Sequence, residues 1–180
     1  MAEQAGRVAL VTGANTGIGF EAALQLARKG AHVLLGCRDQ RRAEQAIERI
    51  QAVAPTASLK WLPLDLADLA SVKAAAAQLR ADHQQLDVLI CNAGVMVPPE
   101  GRTADGFELQ FGINHLGHFA LVLQLLPLLP LLPLLTSPIR ALWPPKQLPL
   151  IRQVECVGAV LWSTRQCNIA CAPSTSQRTC

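Results

Sequence analysis

The sequence predicts an α/β fold built on a doubly wound parallel sheet, and three observations support this prediction. Apolar runs of strand length alternate with longer segments that have the 3.6-residue period of a helix. A glycine-rich turn, Thr12–Gly19, joins the first apolar run to the first helical segment. Polar residues follow the later apolar runs, at the edge where such a sheet binds its ligands. The predicted sheet is incomplete and is followed by an irregular C-terminal tail, because the periodicity stops near residue 123.

Length and charge favour a single globular domain over a nucleic-acid-binding protein. A chain of 180 residues fits one domain with a substantial core. Residues 1–123 carry 11 basic and 12 acidic side chains, whereas residues 124–180 carry five basic and one acidic. No cluster of lysine and arginine with interleaved aromatic residues occurs, so the sequence predicts no nucleic-acid partner. The first residues lack the basic-then-apolar pattern of a secretory signal, so we expect a cytoplasmic location.

The turn Thr12–Gly19 predicts a phosphate-binding site. Val8–Val11 has the character of a buried strand, and Ile18–Lys29 has the period of a helix. A glycine-rich turn between them exposes backbone N–H groups at the positive end of the helix dipole, where a pyrophosphate can bind. The glycine spacing is G-x-x-x-G-x-G and not the G-x-G-x-x-G of the general dinucleotide fingerprint. A plain glycine-rich turn is the alternative interpretation.

The second predicted strand, Ala31–Cys37, ends beside charged residues. Arg38 and Asp39 follow it directly. At this position of a dinucleotide fold, an acidic residue favours a free ribose 2′-hydroxyl and an arginine accommodates a 2′-phosphate. Arg38, followed by two more arginines, favours NADPH over NADH. Alternatively, the arginines form the solvated start of a helix over residues 40–53, and Asp39 is its N-cap.

The third predicted strand is Leu59–Asp65, and Pro63 suggests either an irregular end or a position near an edge of the sheet. A helix is predicted from Asp68 to about residue 81, with Asp68 as its cap. Asp65 is either a cap as well or a hydrogen-bond partner for adenine, and the spacing does not separate the two. The residues expected to be buried on this helix are Leu69, Val72, Ala76 and Leu79.

The fourth predicted strand, Leu86–Cys91, is followed directly by Asn92–Gly94. Strands that alternate with helices form right-handed crossovers in a parallel sheet, so their carboxyl ends share one edge. The glycine-rich turn, Arg38, Asp65 and Asn92–Gly94 all fall at that edge. Their convergence predicts one ligand site.

Five segments in order form a further pattern: Thr12–Gly19, Cys37–Asp39, Leu64–Leu66, Cys91–Gly94 and Asp105–Phe119. With these motifs the sequence resembles the short-chain dehydrogenase/reductase family, in its branch related to retinol dehydrogenases and the WW-domain oxidoreductase. The resemblance covers about residues 5–123 and departs at Cys91, where the family usually has asparagine. It implies a Rossmann-type sheet, NADP as cofactor with NAD less favoured, and hydride transfer between a small carbonyl compound and an alcohol.

The resemblance also implies roles for individual residues. Arg38 would contact the 2′-phosphate, and Asp65 would bond the adenine. Asn92 and Gly94 would shape the wall near the nicotinamide ribose. Asn114 matches the family's active-site asparagine, which holds a water in a proton relay, and its amide must find partners within a helix. The residues that would line the pyrophosphate cradle are Gly13, Asn15, Gly17, Ile18 and Gly19.

The catalytic residues of the family have no counterpart. The family uses a tyrosine as general acid, a lysine four residues later that lowers its pKa, and a serine that orients the carbonyl. The sequence contains no tyrosine, and Ser137 is followed by Pro138, so we assign it no role. We therefore expect a cofactor-binding portion over residues 1–123 with impaired catalysis. The alternative is a non-catalytic module that binds a dinucleotide or a partner.

The tail, residues 124–180, holds eight of the twelve prolines, three of them at every third position from Pro127. Such spacing removes helical hydrogen bonds repeatedly, so we expect an irregular or disordered segment. Residues 119–135 are apolar and about long enough to cross a membrane, but the prolines make this unfavourable. Only residues 154–162 have strand character. A truncated or frame-shifted product is the favoured origin, and a divergent segment with another role is the alternative.

Histidines and cysteines suggest no metal centre. His115 and His118 lie three residues apart on a predicted helix without further ligands, so we expect surface or interface positions for both. Cys37 and Cys91, near strand ends, are expected to be unpaired thiols. Relatives often dimerise through the helix that holds Asn114 together with its successor, which this chain lacks, so a homo-oligomer stays an open alternative.

Overall fold

The structure, a computed structural model, describes residues 3–130 and 154–155. Its strands form one parallel sheet, with helices on both faces. The strands are β1 Val8–Thr12, β2 His32–Cys37, β3 Ser58–Pro63, β4 Val88–Ile90 and β5 Val154–Glu155. The helices are α1 Gly17–Arg28, α2 Gln40–Val53, α3 Leu69–Asp82, α4 Leu109–Phe111 and α5 His118–Leu125, with a π-helical turn, Gly112–Gly117, between the last two.

The strand order is β3-β2-β1-β4-β5, and each neighbouring pair is parallel. Val11 of β1 pairs with Leu35 on one side and with Ile90 on the other. This arrangement confirms the predicted Rossmann-type sheet. β3 lies at an edge of the sheet and ends at Pro63, which agrees with the position expected from that proline. Strand β5 falls within the predicted stretch 154–162, whose other residues lie outside the described part.

Two apolar clusters hold the helices against the sheet. On one face, Leu35 and Val33 of β2 pack with Ile50 of α2 and with the buried side of α1. On the other face, Leu89 of β4 packs with Leu79 of α3 and with α5. The helix containing Asn114 therefore continues into a core element. The residues through which its C-terminal part enters the core are Leu121, Leu125 and Leu128.

Aspartates cap two helices: Asp68 as expected, and Asp39 as the alternative interpretation had it. The Asp39 side chain accepts a hydrogen bond from the Arg42 N–H at 2.9 Å, and Asp68 accepts one from the Ala70 N–H at 2.8 Å. A second carboxylate that is distant in sequence, Asp105, accepts from the Leu69 N–H at 3.0 Å. This bond ties the segment before α4 to the start of α3.

Three details of the predicted elements are corrected. The third strand ends at Pro63 and not at Asp65, because the Asp65 N–H donates to the Ser71 hydroxyl and leaves the ladder. The fourth strand is limited to β4. On α3, Leu69, in the first turn, is only half-buried, and Ala75 belongs to the buried side of the helix instead.

No helix in the part of the chain that the structure describes is both long and apolar enough to cross a membrane. The apolar stretch 119–135 extends past that part. The chain remains helical to Leu125, and Leu128 is buried, where its carbonyl accepts from the Leu86 N–H at 2.9 Å. The rest of the tail lies outside the described residues.

Candidate functional site

The turn between β1 and α1 packs so tightly that glycine is required. Gly13 has a φ of 65° and Gly17 a φ of 58°, in the left-handed region that favours glycine. A Cβ atom at Gly13 would lie 3.0 Å from the Cα atom of Ala93. A Cβ atom at Gly19 would collide with the Asn92 side-chain amide and would lie 2.5 Å from the Gly13 carbonyl oxygen. The glycines thus bring the turn against the segment that follows β4.

The N-terminus of α1 differs from those of α2 and α3. Thr16 is its N-cap residue, yet its side chain makes no capping hydrogen bond, whereas Asp39 and Asp68 cap α2 and α3. The first N–H groups of a helix have no partner within the helix, and the dipole is positive there. Ile18 in this turn is 79% exposed, so the end of the helix is open to solvent. An anion such as a phosphate group fits this end.

Thr12, the last residue of β1, joins the turn to the segment after β4. Its Oγ1 atom accepts hydrogen bonds from the N–H groups of Asn92 at 2.9 Å and Ala93 at 3.0 Å. The Asn92 Nδ2 atom donates to the Thr12 carbonyl oxygen at 3.0 Å. Asn92 is therefore held by both its backbone and its side chain beside the glycine-rich turn.

Asn114, in the π-helical turn, reaches the same segment from the other side. Its Oδ1 accepts from the Val95 N–H and its Nδ2 donates to the Val95 carbonyl, both at 2.8 Å. A Cβ atom at Gly94 would lie 3.2 Å from Asn114 Oδ1, so glycine permits this close approach. The amide thus finds its partners in the backbone of Val95. The structure places Asn114 against Gly94, in the segment that begins with Asn92, and the roles that the resemblance implies for these residues stay predictions.

Arg38 and Asp65 also meet at this edge. Arg38 Nη1 lies 3.8 Å from Asp65 Oδ2, and the Arg38 side chain is 75% exposed. The second oxygen of Asp65, Oδ1, accepts from the Ala67 N–H at 2.9 Å. Asp65 therefore closes a local turn, whereas Asp68 is the N-cap of α3. Its contact with adenine stays a prediction.

A cleft of about 460 Å³ opens between the start of α1 and one side of α2. Asn15 and Thr16 line it from the turn, and Arg42 and Arg49 line it from α2. The Arg49 guanidinium lies 4.1 Å from the centre of the Phe20 ring, which fixes its position. Glu48 also lines the cleft, so the two arginines leave a net positive charge beside the glycine-rich turn.

The expectation for His118 is wrong. Its side chain is buried, and the residue is only 2% exposed. Its Nε2 atom lies 2.9 Å from Thr12 Oγ1, and its Nδ1 atom lies 3.2 Å from the Asn114 carbonyl oxygen. Burial lowers the pKa of His118 below its ordinary value, the Asn114 carbonyl opposes this shift, and nearby His115 adds to it. A signal was present in the sequence, since His118 continues the buried stripe of Leu121, Leu125 and Leu128.

His115 lies nearer the surface than His118 does. Its ring stacks between Phe111 at 5.2 Å and Phe119 at 6.3 Å, measured between ring centres. Both phenylalanines are exposed by half or more.

Within residues 3–130 and 154–155, no group of three or more histidine, cysteine or acidic side chains is placed to hold a metal ion.

Cys37, at the end of β2, lies under the turn. Burial raises the pKa of its thiol to about 11, although the N–H groups of Ala14 and Asn15 act in the opposite direction. The thiol is therefore protonated at neutral pH and is a weak nucleophile. The groups at this edge that can bind a ligand are therefore the backbone N–H groups of the turn and the Arg38 guanidinium, and not the Cys37 thiol.

The loop after Gly94 contains an unusual backbone conformation. Val97 has a φ of 47°, the only positive value at a non-glycine residue in the described ranges. A β-branched residue is strained in this region. The Val97 N–H donates to Gln110 Oε1 at 2.8 Å, and the side chain is 79% exposed. The hydrogen bond to Gln110 helps to hold the strained loop near Asn114.

Comparison with known proteins gives concordant matches. Residues 7–131 match the family model for short chain dehydrogenase. Retinol dehydrogenase 11 of Mus musculus is 53% identical over 116 residues, which cover 64% of this chain and 37% of that protein. Retinol dehydrogenase 13 of Homo sapiens is 38% identical over 172 residues, covering 93% and 49%. The WW domain-containing oxidoreductase of Danio rerio is 51% identical over 116 residues, covering 64% and 28%.

The fold has a similar solved relative. The structure described as the Pseudomonas aeruginosa RhlG/NADP active-site complex is 32% identical, with a TM-score of 0.59, covering 70% of this chain and 47% of that one. This chain spans between about a quarter and a half of the length of the relatives it matches. The matches confirm the predicted resemblance to retinol dehydrogenases and the WW-domain oxidoreductase.

Proposed function

The chain belongs to the short-chain dehydrogenase family, and from this premise we propose that it binds a nicotinamide dinucleotide, NADP in preference to NAD, at the carboxyl edge of its sheet. One observation carries the proposal. The start of α1 lacks a capping side chain, and glycines hold it against the segment after β4. Backbone N–H groups at such a helix end bind phosphate.

Each part of the cofactor is assigned to residues along this edge as part of the proposal. Arg38 is exposed and extends from the end of β2, where the 2′-phosphate of NADP would bind. Asp65, beside it, would contact the adenine. Asn92 and Gly94 would form the wall next to the nicotinamide ribose, with Asn114 behind them. The pyrophosphate would bind along the turn formed by Gly13, Asn15, Gly17, Ile18 and Gly19.

Two further features support NADP. The cleft beside Asn15 is lined by Arg42 and Arg49 together with one acidic residue, Glu48, so its lining carries a net positive charge. The RhlG relative is described as an NADP complex. When bound, the cofactor supplies a hydride to a carbonyl carbon or takes one from an alcohol. A small carbonyl compound or alcohol is the substrate class that the family suggests.

We also propose that this chain transfers hydride poorly. The oxyanion left by hydride transfer must receive a proton, and the sequence has no tyrosine to supply it. The same observation favours a second candidate function, a non-catalytic module that binds the dinucleotide or a partner. A cytoplasmic location belongs to this proposal, and cell fractionation would test it.

Titration with NADPH and NADH tests the proposal. We expect NADPH to bind more tightly and to raise the melting temperature, because a ligand at 100 times its Kd adds about 2.7 kcal/mol to the free energy of unfolding. Replacing Arg38 with alanine should weaken NADPH binding about 10-fold and change NADH binding little, since a charge-assisted bond is lost. The matched control is Arg28→Ala, an exposed arginine at the opposite end of α1.

Two outcomes would contradict these proposals. A chain whose melting temperature changes with neither dinucleotide does not form the site. An Arg38→Ala protein that loses affinity equally for NADPH and NADH has no 2′-phosphate contact at this residue. Oxidation of NADPH with small aldehydes and ketones separates the two candidate functions, because measurable turnover by the purified chain refutes impaired catalysis.

A further inference from the structure

The hydroxyl of Thr12 has four polar neighbours. The N–H groups of Asn92 and Ala93 donate to Oγ1 at 2.9 and 3.0 Å. The Ile90 carbonyl oxygen lies 3.3 Å away, and His118 Nε2 lies 2.9 Å away. A hydroxyl has one proton and two lone pairs. The two backbone N–H groups use both lone pairs, so the proton is all that remains for the other two neighbours.

This count assigns the protonation of His118. If Nε2 carried a proton, that proton would need a third lone pair on Thr12 Oγ1. Nε2 therefore accepts the hydroxyl proton, and Nδ1 carries the imidazole proton and donates it to the Asn114 carbonyl at 3.2 Å. Burial, which disfavours the charged imidazolium, agrees with a neutral ring.

The assigned bonds form a closed chain across the site. It runs from the Asn92–Ala93 backbone through the Thr12 hydroxyl to His118, and from there to the backbone of Asn114. The Asn114 side chain returns to the loop at Val95. The chain connects the end of β1, the segment after β4 and the π-helical turn. These are the segments that would surround the nicotinamide end of the cofactor.

We propose that His118, as the neutral tautomer with its proton on Nδ1, is a positioning residue that holds the Asn114 turn at a fixed distance from the Asn92–Gly94 wall. The inference rests on the proposed dinucleotide function. His118 touches no part of a cofactor placed along the glycine-rich turn, because it is buried behind Thr12. Its effect on binding is transmitted through Thr12 and Asn114.

Replacement of His118 tests this role. His118→Leu keeps an apolar side chain of moderate size and removes both bonds, and we expect NADPH to bind about 5- to 10-fold more weakly. His118→Gln retains an oxygen that can accept the Thr12 proton, so it should recover part of this loss. The control is His115→Leu, on the exposed side of the same helical segment, which should bind as the wild type does.

Nuclear magnetic resonance of ¹⁵N-labelled histidine provides a readout that needs no cofactor. One of the four imidazoles should show a protonated Nδ1 and an unprotonated Nε2 at neutral pH, and its signal should vanish in His118→Leu. The amide signals of Ala93 and Val95 should shift in His118→Leu and not in His115→Leu.

The outcomes separate the two proposals. If the wild type binds NADPH and His118→Leu binds it equally well, the positioning role is overturned while the dinucleotide function stands. A protonated Nε2 on His118 also overturns it. If the wild type binds no dinucleotide, the proposed function fails, and the amide shifts of Ala93 and Val95 alone decide whether His118 holds the two segments together.

Discussion

Replacing Gly19 with alanine tests whether the turn is shaped by contact with the segment after β4. The added Cβ atom would collide with the Asn92 side-chain amide, and it would lie 2.5 Å from the Gly13 carbonyl oxygen and 3.0 Å from its carbon. Ordinary contacts between such atoms begin near about 3.5 Å. The Gly13 carbonyl and the start of α1 must therefore separate by about 1 Å and the Asn92 amide must shift, which moves the N–H groups proposed to hold the pyrophosphate.

Overpacking of this kind costs about 1–3 kcal/mol. If the whole cost appears in binding, NADPH affinity falls by about 5- to 150-fold. The free energy of unfolding should change less, because alanine is favoured over glycine in a helix by about 1 kcal/mol and partly offsets the strain. Gly19→Ala should therefore lower the affinity for NADPH while changing the free energy of unfolding little.

The assay compares fluorescence titrations with NADPH and urea unfolding curves for Gly19→Ala and for Gly101→Ala. Gly101 is a matched control because a Cβ atom there would meet its nearest neighbour, Leu109 Cδ2, at an ordinary 3.6 Å. Gly101→Ala should bind as the wild type does. Wild-type affinity in Gly19→Ala would refute the reasoning, since it would mean that the turn can move without consequence.

Two further predictions concern stability. Val97→Asn should raise the free energy of unfolding, measured in urea, by up to about 1 kcal/mol, because asparagine tolerates the left-handed backbone that strains valine. The control, Met96→Asn, lies next to it on the exposed loop and should bring no gain. An equal gain in Met96→Asn would contradict the assignment of strain to Val97. Asp68→Ala should lower the free energy of unfolding by about 0.5–2 kcal/mol through loss of the α3 cap, whereas Asp68→Asn should retain it. Equal losses in both Asp68 variants would show that charge, and not the cap, stabilises α3.

Local signals in the sequence were sufficient for most of the sheet. The apolar runs predict β1 to β4 in order, and the position of Asp68 before a helical segment predicts that it is a cap. The bond from the Leu69 N–H to Asp105 was not predictable in this way, because its partners are far apart in the chain. No residue pattern marks such a contact before the fold brings the two segments together.

In the candidate site, too, some residues are predictable from local sequence and others depend on contacts that form only in the fold. Gly13 and Gly19 are predictable because they lie in a short turn between an apolar strand and a helical segment, a local pattern that the sequence shows directly. The burial of His118 does not follow from its polar side chain, and only the leucine stripe that it continues indicates it. The positive φ of Val97 had no signal at all, since valine is disfavoured there, and only the hydrogen bond from its N–H to Gln110 indicates what holds it.

The two apolar clusters differ in how far apart their members lie along the chain. The cluster under α1 and α2 draws its buried residues from positions 9–50, whereas the cluster under α3 and α5 needs residues from Leu10 to Leu128. A ribosome releases the chain from its N-terminus, and local contacts form faster than distant ones. The face that carries the glycine-rich turn can therefore assemble early in synthesis. Asn114 and His118 lie in the part of the chain that the second cluster needs, so the proposed cofactor site is complete only when the second face has closed.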